Sequence, residues 1–147
     1  MAKVSQKQKE QRLVEIMAEW QEVEDDAIRM TKEVQAKTDN PLVKLIMEII
    51  AHDSAMHRRT QQFIIDSMTK EAITLQPEEL EAVWDLIEQH IEVEKKTISL
   101  ADEAKDASKR LFVQKYLLNY LLQDEQKHDA LLERLEEIKL RMYPYAG

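Results

Sequence analysis

Along almost the whole chain, apolar residues return every three or four positions, and little interrupts them. The single glycine is Gly147, and the three prolines are Pro41, Pro77 and Pro144. A 3.6-residue apolar period sustained over stretches of about thirty residues marks amphipathic helices, because residues three and four apart share a helix face. Strands would need strict alternation and turn residues between short runs, and the chain supplies neither.

The periodicity predicts four helices. The first is expected from about Gln6 to Lys37, with Leu13, Met17, Trp20, Ala27, Ile28 and Thr31 facing inward. Thr38-Asp39-Asn40-Pro41 stops it and opens the second, since Asp or Asn caps a helix start and Pro suits the first turn. The second carries Leu42, Leu45, Ile46, Ile49, Met56, Thr60, Phe63 and Ile64 on one stripe and fades between Asp66 and Glu71. Gln76-Pro77-Glu78-Glu79 opens the third, where Leu80, Val83, Ile87, Ile91, Ile98 and Ala101 share a face. A polar stretch from Asp102 to Arg110 leads into the fourth helix, which ends near Met142 before the short tail Tyr143-Pro144-Tyr145-Ala146-Gly147. Trp84, Tyr116 and Tyr120 fall off these stripes, and contact between subunits of a homodimer is one use for them. The fold class read from this pattern is all-α: a four-helix bundle of two antiparallel hairpins, one domain spanning residues 1–147.

Composition narrows the functions open to such a bundle. With 147 residues the chain is long enough to bury a sizeable core. Its formal net charge of -8 argues against a nucleic-acid-binding role resting on a basic surface. It contains no cysteine, which excludes disulfides, thiol chemistry, Cys-ligated zinc and iron–sulfur clusters. The start of the chain is polar, without the apolar region of a signal peptide. No apolar run approaches the roughly 20 residues that span a bilayer. A soluble, cytoplasmic protein is expected.

Against this background, Asp124-Glu125-Gln126-Lys127-His128 is out of place. Glu125 and His128 point the same way as the leucines around them, and a carboxylate and an imidazole on an apolar stripe need a partner. A metal ion is one such partner, and an acid paired with its own helix's histidine is another. The same search on the other helices finds Glu24 on the first, Asp53 with His57 on the second, and Glu94 with His90 on the third. At about 1.5 Å per residue, Glu24, Asp53, Glu94 and Glu125 fall near one level of an antiparallel bundle. Four inward acids in one layer repel one another, and two divalent cations would offset them. Asp53 and His57 could equally form an ordinary i, i+4 contact, and His90 reads as a hydrogen-bond partner of a ligand. His52-Asp53-Ser54-Ala55-Met56-His57 also lines up with Gln123-Asp124-Glu125-Gln126-Lys127-His128, a weak internal repeat.

At these residues the chain resembles the ferritin-like superfamily, and within it the small rubrerythrin-type di-iron bundles. In that family two helices each give a Glu and two give Glu-x-x-His. Glu24 matches the first Glu, Glu94 the second, and Glu125-x-x-His128 one of the paired motifs, whereas Asp53-x-x-x-His57 departs from the other. The resemblance implies up-down-down-up winding, with a crossover running the length of the bundle; if the second helix ends near Ile65, about twelve residues at up to roughly 3.4 Å each just span it, and if it continues to Lys70, up-down-up-down winding follows. It also implies a site of two iron ions, with manganese as the alternative, on Glu24, Asp53, His57, Glu94, Glu125 and His128. The expected activity is reduction of peroxide or activation of dioxygen, with an external electron donor because cysteine is absent. The competing expectation is a metal-free helical bundle with a structural or interaction role, or one that buffers metal without redox chemistry.

Overall fold

The computed structural model describes residues 3–142, which form four α-helices and, among the described residues, no strand. Helix α1 spans Gln6–Lys37, α2 Pro41–Thr69, α3 Pro77–Ala107 and α4 Phe112–Met142. The expected tail from Tyr143 onward lies outside the described residues. The chain divides into two compact units between Ile73 and Thr74, and each unit is one helical hairpin: α1 packs on α2, and α3 on α4. No helix among the described residues is long and apolar enough to cross a membrane.

Local chemistry sets the helix ends. The Ser5 hydroxyl accepts from the Gln8 N–H at 3.2 Å, and the Gln8 side chain accepts from the Ser5 N–H at 2.8 Å. This reciprocal pair satisfies two donors that α1 cannot bond internally. Asn40 Oδ1 accepts from the Leu42 and Val43 N–H groups at 2.9 and 3.2 Å, with Pro41 at the first turn of α2. At the start of α3, the Gln76 N–H donates to Glu79 Oε2 at 2.8 Å. Helix α3 runs through Asp102–Ala107, a segment expected to be a polar lead-in to α4. Its acidic residues Asp102, Glu103 and Asp106 are exposed, and Ala101, Ala104 and Ala107 between and beside them are strong helix formers. The turn follows at Ser108, whose N–H bonds back to the Ala104 and Lys105 carbonyls at 3.0 and 3.3 Å.

Each hairpin is antiparallel. In the first, Gln21 bonds to the Arg58 carbonyl and Gln62, while Gln35, later on α1, bonds to the Lys44 carbonyl, earlier on α2. In the second, Trp84 meets Lys139, whose Nζ lies 4.3 Å from the ring centroid, while Glu94 meets His128. The seams are narrower than the apolar stripes. On α1 the buried residues are Met17, Gln21, Glu24 and Thr31, and on α2 they are Ser54 and Gln61. Trp20 and Leu13, expected inside, are 51% and 38% exposed, and Met56 and Phe63 on α2 are exposed as well. Two helices bury only the strip along which they touch, so apolar residues a third of a turn aside stay open. Trp84 departs in the opposite sense. Expected off the core stripe, it is 6% exposed, because it follows Leu80 by one turn and shares that residue's face.

A short link joins α2 to α3. Helix α2 continues to Thr69, leaving residues 70–76 before Pro77.

Candidate metal centre

In the second hairpin, α3 contributes Glu94 and His90, and α4 contributes Glu125, His128 and Asp124. Glu94 sits on the seam, one helical face with Leu80, Trp84 and Ala101, and is 5% exposed. His90 Nε2 lies 2.9 Å from Glu94 Oε1, one turn along the same helix. From α4, His128 Nδ1 approaches Glu94 Oε1 at 3.6 Å and Glu125 Oε2 at 3.7 Å. The other ring nitrogen, Nε2, lies 3.5 Å from Asp124 Oδ2. One ligand atom each from Glu94, Glu125 and His128 falls within 4.8 Å of the others. His90, Glu94, His128, Leu131 and Leu132 line an adjacent hollow of about 310 Å³.

Electrostatics sharpen this geometry. The Glu125 carboxyl is pushed above the ordinary carboxylate range, first by its hydrogen bond to Glu94 and then by burial. Glu94 is held below that range, first by the same hydrogen bond from Glu125 and also by His90. The last proton of the pair is therefore held on Glu125, and while it is bound it removes the repulsion between the facing acids. Glu94 Oε2 is buried without a hydrogen-bond partner, so one acceptor on the seam is left unanswered. A divalent cation would answer it. Carboxylate oxygen and imidazole nitrogen suit iron, manganese or zinc. Three protein donors also leave coordination positions open for a small ligand.

The chain matches no family model, no curated protein and no solved structure.

The first hairpin holds Glu24 and His57 in a related arrangement. Glu24 is 6% exposed, and His57 Nδ1 lies 3.3 Å from its Oε1. Gln61 Nε2 donates to the same oxygen at 3.4 Å, while Gln61 Oε1 is buried without a partner. Asp53, named from the sequence as a candidate ligand, is half-buried and makes none of these contacts; its neighbour Ser54 is the buried residue on the seam. The structure thus brings Glu94, Glu125 and His128 together, with His90 on Glu94, and separately brings Glu24 to His57. Sequence reasoning passed over Ser54, Gln61 and Asp124. The internal repeat carried a signal for Ser54, since the aligned segments set it opposite Glu125.

Proposed function

We propose that this chain is a metal-binding protein of the ferritin-like kind, holding a divalent transition metal through Glu94, Glu125 and His128. The observation that carries this reading is the convergence of these three donors within 4.8 Å around the unpartnered Glu94 Oε2. Iron is the first candidate and manganese the second, since mixed oxygen and nitrogen ligation serves both. Open positions on such an ion would admit peroxide or dioxygen, and the reading extends to an oxidoreductase that reduces one of them. With no cysteine in the chain, electrons would come from an external donor. Within the site, Glu94 and Glu125 supply charge, and Asp124 holds the His128 ring so that Nδ1 faces the carboxylates.

The direct test is metal analysis of protein purified from iron-supplemented cells, beside the double variant Glu125→Leu, His128→Phe. Wild type should retain iron and the variant should lose it. Wild type carrying well under one ion per chain, unchanged after anaerobic reconstitution, would refute the reading.

One observation favours a second reading, a metal-free interaction module. Leu13, Ile16, Trp20, Val23, Met30 and Val34 recur along α1 at steps of three, four and, once, seven residues, and all are exposed. Such a stripe suits a partner helix, including one from a second copy in a homodimer. In that case the Leu and Phe variant would be as stable as wild type or more so, because apolar replacement of a buried polar pair is often neutral or favourable.

A further inference from the structure

The two hairpins carry the same skeleton of site residues with unequal chemistry. Glu24 precedes Glu94 by 70 positions, and His57 precedes His128 by 71. The structural roles agree with this offset. Both glutamates are buried on their seams, and in each hairpin the histidine of the facing helix presents Nδ1 to Oε1 of that glutamate, at 3.3 Å and 3.6 Å. At the same offset Ser54 stands where Glu125 stands, and Gln61 where Leu132 stands.

These two exchanges reverse the electrostatic demand. In the second hairpin two carboxyl groups, able to give a cation that displaces their proton two negative charges, converge with His128 within 4.8 Å, and Glu94 Oε2 is buried without a hydrogen-bond partner. A divalent cation matches that charge. In the first hairpin Ser54, 6% exposed, brings no charge, and the Gln61 amide donates to Glu24 at 3.4 Å. A neutral N–H thus occupies the place of a cation at the single remaining carboxylate. The unpartnered Gln61 Oε1 is a neutral acceptor and leaves that cluster one anionic charge short of its counterpart.

We infer that the chain holds one metal ion, in the second hairpin, and that Ser54 with Gln61 keeps the first hairpin from taking another. This rests on the metal-binding reading and narrows it from the two ions that the family resemblance implies. Ser54 and Gln61 are then the residues that decide occupancy, and restoring the second hairpin's pattern in the first creates a site there.

The test is the number of Mn²⁺ ions bound per chain by metal-free protein after anaerobic equilibrium dialysis. Wild type is expected to bind one, and Ser54→Glu with Gln61→Leu to bind twice as much. Glu125→Ser is expected to bind none, and adding it to the double variant should return the count to one. Wild type binding two ions overturns the inference, as does a double variant that keeps its helical circular dichroism yet still binds one. Wild type binding none instead refutes the metal-binding reading beneath it. If the double variant does not fold, wild type decides by histidine NMR. Added Zn²⁺ should shift the His128 ring signals and leave those of His57 unmoved; movement of both overturns the inference.

Discussion

The proton between Glu94 and Glu125 makes the site sensitive to pH. Glu125 titrates above its ordinary value of 4.5 because of the Glu94 hydrogen bond and burial. A folded chain that binds this proton more tightly than the unfolded chain gains stability that is complete below the ordinary value. That stability is lost as pH rises through the elevated one. Glu94, held low chiefly by the same hydrogen bond, contributes in the opposite window: its share is present above 4.5 and fades on acidification through its lowered value. From 4.5 upward, therefore, the metal-free protein should lose thermal stability as Glu125 ionises. Glu125→Gln, which keeps an N–H donor but cannot titrate, should flatten that decline, and an identical pH slope in both proteins would contradict the shared proton. Asp124 offers a second check. Because it faces His128 Nε2 at 3.5 Å, Asp124→Asn should weaken metal binding by about 10- to 100-fold, read by chelator competition. An unchanged affinity would mean that the ring is oriented by packing alone.

At the scale of the helix, the boundaries were legible because their causes are local. Asp39 and Asn40 are both competent caps in the sequence. The residue immediately before Pro41 takes the role, with Asn40 Oδ1 bonded to two backbone N–H groups. Asn40→Ala should lower stability by about 1 kcal/mol in chemical denaturation, while Asp39→Ala should leave it nearly unchanged. Equal effects would mean that the cap contributes nothing specific. The rotation of each helix was less legible. Trp20 and Gln21 lie on adjacent faces of α1, and only contact with α2 decides that Gln21 is buried, through its bonds to the Arg58 carbonyl and Gln62. The same limit explains Asp53. A search for inward acids selects it, whereas the seam selects its neighbour Ser54, which carries no charge for such a search to find.

At the scale of the molecule, four helices and no strand among the described residues follow from a chain with one glycine, at its last position, and unbroken apolar periodicity. The three-residue cluster was legible too, because Glu125-x-x-His128 is local and Glu94 lies on the facing seam. The departure of Asp53-x-x-x-His57 from Glu-x-x-His already marked the two hairpins as unequal; what the sequence concealed was the part of Ser54 and Gln61, which look like ordinary polar residues. Metal binding at the second hairpin is most directly tested by anomalous X-ray scattering at the iron absorption edge, from crystals grown with Fe²⁺ under anaerobic conditions. The expected result is an anomalous peak coordinated by Glu94, Glu125 and His128; a map with no peak there, or with iron held only by other residues, would contradict it.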